Sequence, residues 1–340
     1  MRVLIVKLSS MGDIVQALPA VTDACSAISS VQFDWAVDES FAEIPGWHSG
    51  VGSVLKSAHR RWRNELFSGA INEVSAFTST LRSSQYDQVI DAQANLKSAT
   101  VSLLARGERH GLDANSVREY GAHWAYSQTH SIRRNQLAID RWRELFSTVL
   151  GYKKPTTEPD FGLSNINFEV SEDLIPQREF FVFVHCASWQ SKQWSIGHWR
   201  KLVGYGEDID RAVLLPWGTE PEREKAEAIA AGYSNAYVLP KLNLFSIAGI
   251  LKKTEHVFSM DTGLAHLAAA VGAKTTTLYG ATNPALIGAT GPNSTHILAT
   301  DFDCMPCYKR QCQFGSQRHS HAQCLAAITP EKVWQSSGLG

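Results

Sequence analysis

Short apolar runs of β-branched and aromatic residues recur along this chain, each closing on a polar turn and leading into a stretch with helical spacing. Val3 to Leu8 is the first such run; Ile14, Leu18, Val21 and Cys25 then fall on one helical face, and VQFDWAV from Val31 reads as the next strand. YDQVIDAQ from Tyr86 repeats the pattern ahead of a helical segment from Lys97 to Arg106. Strand and helix in alternation build a parallel sheet with helices on both faces. Between Glu65 and Tyr152 helices are expected to predominate, with Trp124, Leu137, Trp142 and Leu145 as their core bulk.

GYKKPTTEPDFGLSNINFEV, from Gly151, is rich in Pro, Gly, Asn and Thr, lacks periodicity, and reads as an interdomain linker. The alternation then restarts, with strands at FFVFVHCAS from Phe180, AVLLPWG from Ala212, AYVLP from Ala236, HVFSMDTG from His256 and TTTLYG from Thr275. The expected fold class is therefore α/β, two doubly wound domains in tandem whose ligand loops face each other across a cleft.

Composition narrows the function classes. A chain of 340 residues with 44% hydrophobic residues and a formal charge of -1 suits two globular domains rather than a general nucleic-acid binder. No apolar run approaches the ~20 residues of a membrane span, and no signal-peptide pattern precedes the first strand, so a cytoplasmic location is expected. Of six cysteines, Cys304, Cys307, Cys312 and Cys324 crowd together near His319 and His321. That cluster is either a structural zinc or iron site or a set of unliganded thiols.

Phosphate loops between a strand and a helix carry glycines and a lysine, whereas the first loop here offers Ser9, Ser10, Gly12 and Asp13. In the second half, Asp261, Thr262 and Gly263 form a strand-to-helix turn that suits a diphosphate; equally, Thr262 is a plain helix cap and His266 a packed histidine. Lys192 is either a compact charge for a pyrophosphate leaving group or a solvated loop lysine, and Glu222 either reaches a ribose or favours its helix dipole. Arg60, Arg61 and Arg63 around Trp62 imply a phosphorylated or polyanionic partner, or else a solvated face. No G-x-G-x-x-G follows either opening strand, which disfavours a dinucleotide oxidoreductase.

RVLIVKLSSMGDIVQALPA, FDWAVDESFAEIPGWH, RRWRN, VIDAQANLKSA, LPWGTEPE and MDTGLAHLAAA together resemble the bacterial lipopolysaccharide heptosyltransferases of glycosyltransferase family 9, in collinear order over nearly the whole chain. The resemblance implies the GT-B fold, two Rossmann-like domains, with an acceptor-binding domain over 1–165, an ADP-heptose-binding domain over 166–325 and a terminal helix in 326–340 packing back on the first domain. It implies an inverting, metal-independent transfer of L-glycero-D-manno-heptose from ADP-heptose to the Kdo of Kdo2-lipid A, or to another acceptor such as a heptosylated core or a protein hydroxyl. By position, Asp13 matches the general base and Lys192 the second catalytic residue. Ser188, Lys192, Glu222, Leu242, Asp261, Thr262, Gly263 and His266 match donor-binding positions; Ser10, Arg60, Arg61 and Arg63 match acceptor-binding ones. Ala94 stands where a glycine is common in these relatives. Peripheral association with the cytoplasmic face of the inner membrane is expected through the arginines. An inactive nucleotide-sugar module or an epimerase is the reading from another class, and it gives Asp13 no role.

Overall fold

A computed structural model describes residues 1–64, 70–300, 302–314 and 322–339. The chain divides into two compact units, Met1–Asn165 and Ile166–Gly340. The first holds β1 (Arg2–Val6), β2 (Gln32–Asp38), β3 (Val51–Ser57), β4 (Gln85–Asp91), β5 (Arg106–Leu112) and β6 (Gln128–His130) in the order β3-β2-β1-β4-β5-β6. The second holds β7 (Phe180–Val184), β8 (Ala212–Leu215), β9 (Ala236–Val238), β10 (His256–Met260), β11 (Thr275–Tyr279) and β12 (Ser294–Leu298) in the order β12-β11-β10-β7-β8-β9. Every paired strand runs parallel.

Numbered within its own unit, each sheet has the strand order 3-2-1-4-5-6. The order reverses between β1 and β4 and again between β7 and β10, and ligands bind such sheets at the carboxyl ends flanking that switch point. The register brings Val6 opposite Asp91 and Ser259 opposite Val184. The central strands are continuous apolar runs because helices cover both faces: all five residues of β7 are buried, and Phe181, Phe183 and Phe258 pack with Trp194 and Trp199.

Several expectations are corrected. Over residues 70–152 helices Ala70–Ser83, Leu96–Leu104 and Ala138–Leu150 do outweigh the strands, but β5 and β6 lie among them where no strand was expected. The polar sequence RGERHGL hides β5, which lies next to the sheet edge and buries only His110, Gly111 and Leu112. β3 and β12 are edge strands with similarly mixed exposure. Trp142 and Leu145 are core residues, but Trp124 is 74% exposed.

The linker is packed at both ends. Phe161 and Leu163 are buried around Gly162, whose φ of 68° and close approach to the His48 ring leave no room for a side chain. Val170 lies against Gly249, and Phe168 packs on Phe245 at a ring separation of 5.0 Å. The terminal helix Pro330–Ser336 packs its apolar face on the second unit, with Val333 in that unit's core and Trp334 packed against it. Trp334 stacks among Phe181, Tyr205 and Phe258 at 5.6–6.1 Å, and Glu331 pairs with Lys201.

Candidate active site

At the first switch point, the loop leaving β1 is held from β4. Gln93, buried just past β4, accepts the Leu8 and Ser9 N–H groups on its Oε1 at 2.6 and 3.1 Å. Helix Met11–Val15 then opens with a capping box. The Ser10 backbone N–H and hydroxyl both donate to Asp13 Oδ2, at 3.0 and 2.8 Å. The acid is thus fixed in orientation at a helix N-terminus, where a carboxylate is favoured.

Beneath it lies Lys7, only 1% exposed. Its ammonium donates to the Ala92 carbonyl at 2.6 Å and sits 3.8 Å from the centre of the Trp142 ring, while Trp35 Nε1 donates to the Lys7 carbonyl at 3.1 Å. Burial pulls the Lys7 pKa down to about 8, against the nearby charges of Asp13 and Asp91. For Asp13 burial acts to raise the pKa, but the Lys7 charge and the two Ser10 bonds outweigh it and hold the carboxyl below its usual range. An ionised, oriented carboxylate at a sheet switch point is equipped to accept a proton.

Asp91 has a different task. Fully buried, it accepts from the Gln93 and Ala94 N–H groups and the Tyr126 hydroxyl at 2.8–2.9 Å, and burial raises its pKa. It fastens the loop that presents Gln93. Ala94 adopts a left-handed φ of 57°, a conformation cheaper for glycine.

The arginines expected to meet an acceptor lie on helix His59–Asn64, after β3. Arg61 is already engaged, at 3.2 Å from Glu39 and 2.7 Å from Glu73, and Trp62 is buried with its Nε1 also donating to Glu73. Arg60 and Arg63 are exposed. Ser10 is exposed beside Asp13.

At the second switch point, Lys192 follows β7 on the single turn Gln190–Lys192 and places its ammonium 2.5 Å from Asp261 Oδ2, at the end of β10. Asp261 is buried and also accepts from the Thr282 hydroxyl, which follows β11. Helix Gly263–Ala270 starts here, with Thr262 at its N-cap making no side-chain capping bond. The Ala265 N–H is taken by the Thr262 carbonyl at 3.1 Å, and the N-terminal end of the helix, with the Lys192 ammonium shared by Asp261 beside it, favours an anion. His266 is buried in the same helix, and Ser188 is exposed in the β7 loop.

Glu222 and Leu242 follow β8 and β9, the next strands outward. Glu222 Oε2 accepts from the Gly218 and Thr219 N–H groups at 2.8 and 3.1 Å, so its carboxylate builds the loop as a capping box. Leu242 is half-buried ahead of helix Leu244–Lys253. Sequence reasoning passed over Lys7, Gln93 and Thr282. Lys7 had left a signal, a lone cation inside the apolar run VLIVKL.

Of the two readings of the cysteine cluster, a structural metal is not supported: among the described residues no group of three or more His, Cys, Asp or Glu side chains is placed to hold a metal ion, and Cys304, Cys307, Cys312 and Cys324 are free thiols. His319 and His321 lie outside the described residues. The segment buttresses the Lys192 turn instead. The Ser191 N–H donates to the Arg310 carbonyl at 3.1 Å, the Ser191 hydroxyl donates to Lys309, and the Tyr308 N–H donates to Ala281 at 2.8 Å.

Two tandem parallel sheets of the same strand order, with polar loops at matching switch points, have the architecture of the GT-B glycosyltransferases. Residues 74–318 match the family model for glycosyltransferase family 9 (heptosyltransferase). The chain is 44% identical to lipopolysaccharide heptosyltransferase 1 of Escherichia coli K12, over 86% of this chain and 92% of that one. Against the protein of the same description from Pseudomonas aeruginosa PAO1 the identity is 42%, over 98% and 96%. The structure of E. coli heptosyltransferase WaaC with ADP-2-deoxy-2-fluoro heptose superposes with a TM-score of 0.84, at 39% identity over 99% of this chain and 98% of that one. The chain belongs to glycosyltransferase family 9, the heptosyltransferases.

Proposed function

We propose that this enzyme transfers L-glycero-D-manno-heptose from ADP-heptose to the Kdo of Kdo2-lipid A, in building the lipopolysaccharide inner core. The observation that carries this reading is the 42% identity extending over 98% of the chain, both domains included, to a lipopolysaccharide heptosyltransferase 1. The first domain takes the acceptor and the second the donor.

In this mechanism Asp13 accepts the proton of the acceptor hydroxyl as its oxygen bonds to the anomeric carbon of heptose. The bond from that carbon to the diphosphate breaks in the same step, ADP leaves with the electron pair, and the anomeric configuration inverts. Lys192, held in place by Asp261, and the first-turn N–H groups of helix Gly263–Ala270 stabilise the charge growing on the leaving diphosphate. Ser188, Thr262, Gly263 and His266 line the donor side, with Glu222 and Leu242 towards the adenosine. Ser10, Arg60 and Arg63 bind the acceptor's anionic groups, with Arg61 bracing their helix. No metal is required. Among the described residues no helix is long and apolar enough to cross a membrane, and we place the enzyme peripherally on the cytoplasmic face of the inner membrane, where its acceptor lies.

The test is transfer from ADP-heptose to Kdo2-lipid A, run beside an acceptor that already bears the first heptose. Product from Kdo2-lipid A alone is expected. Transfer only to the heptosylated acceptor would move the assignment one sugar outward, and transfer to neither would contradict it.

A further inference from the structure

The first domain carries an aromatic surface that its core does not use. Tyr120 and Trp124 are 75% and 74% exposed, and they and His123 form a ring cluster with centroids 5.3–5.8 Å apart. Leu96 joins them: it and Trp124 both approach the Cβ direction of Gly121, within 3.4–3.6 Å. Leu96 is 54% exposed and Leu103, two turns further along the same helix, 56%. Large exposed apolar groups in one contiguous patch mark an interaction site.

The rim of this patch is cationic. Arg118 is exposed two residues before Tyr120, and Lys97 adjoins Leu96. Lys97 feels the charges of Arg60 and Arg63, which links the patch to the arginine helix. Two acids lie close by: Asp38, which also acts on Lys97, and Glu119, whose carboxylate accepts the Leu96 N–H at 2.9 Å. Tryptophan and tyrosine are the side chains that settle where one end is apolar and the other wet, and basic neighbours add attraction to anionic headgroups.

We propose that this face is a membrane-docking surface, on which Leu96, Leu103, Tyr120 and Trp124 enter the headgroup boundary of an anionic bilayer while Arg118 and Lys97 meet lipid phosphates. It rests on the reading of a lipid-borne acceptor and adds to it an apolar anchor bordering the site, since the Arg118 charge also reaches Asp13 and Lys7.

The experiment is co-sedimentation of the full chain with phosphatidylethanolamine–phosphatidylglycerol vesicles, comparing wild type with the double variant Tyr120→Ser, Trp124→Ser. Losing two large rings from an interface is expected to weaken binding on the order of tenfold or more, while transfer to detergent-dispersed acceptor stays unchanged. As a second readout, brominated lipid should quench wild-type tryptophan fluorescence, and Trp124→Phe should remove most of that quenching. Equal vesicle affinity of wild type and double variant, or equal quenching in Trp124→Phe, would overturn the proposal. So would impaired transfer to dispersed acceptor with vesicle binding intact, which would make the patch an acceptor subsite. Vesicle binding and transfer are read separately, so the docking surface and the transfer reaction can fail independently.

Discussion

Lys7 is a cation buried in an apolar strand end, and what justifies its desolvation is the charge it imposes on Asp13. Because the Asp13 pKa is depressed, its carboxylate, the base in the proposed mechanism, is ionised through the neutral range and is lost only as the pH falls through its folded value. Lys7→Met removes the charge that depresses it, so the acid limb of the kcat/KM profile should move to higher pH. The two profiles should converge once the pH is high enough for Asp13 to be ionised in the variant as well. Coincident acid limbs would refute the coupling. At the other site, Lys192→Ala should lower kcat by about 10²–10³ in steady-state assays, the scale on which removal of one electrostatic group at a developing charge is felt. The loops that carry Asp13 and Lys192 were legible in the sequence because each follows a recognisable strand, whereas the roles proposed for the two residues came from the family resemblance. The ion pair of Lys192 with Asp261 was not legible, because nothing local encodes a contact between loops 69 residues apart.

The elements that were legible are those buried on both faces, whose apolar runs are continuous. β5 and β6, polar and at or near a sheet edge, were not, because their strand form is imposed by pairing with a neighbour rather than by pattern. The same tertiary dependence appears where helix Leu18–Ala27 meets helix Ala138–Leu150. Asp23 and Arg143 pair at 2.6 Å with both side chains almost fully buried, and Arg143 also donates to the Thr157 carbonyl of the linker at 3.0 Å. Arg143→Met strands the Asp23 carboxylate and should cost about 3–5 kcal/mol in urea unfolding, most of which a paired Asp23→Leu should restore. Ala94→Gly works in the opposite direction. It relieves a left-handed backbone and should raise stability by about 1 kcal/mol in the same measurement, and a loss instead would show that the loop does not constrain this residue.

Across the whole molecule, one topology is used twice. Both sheets run 3-2-1-4-5-6 and both sites fall where that order reverses, although the side chains that fill them differ: an acid with a buried lysine in one, a lysine with a buried acid in the other. The repetition was readable from the alternation of strand and helix, whereas the linker's packing and the terminal helix's attachment to the second unit depend on complementary shapes that no single segment carries. The central claim is that Asp13 is the base of a heptosyl transfer. Its most direct test is single-turnover transfer from ADP-heptose to Kdo2-lipid A by wild type and Asp13→Asn, with ADP-heptose affinity measured on both. The variant's rate should be lower by about 10²–10⁴ with donor affinity unchanged; a variant that transfers as fast as wild type would rule Asp13 out as the base.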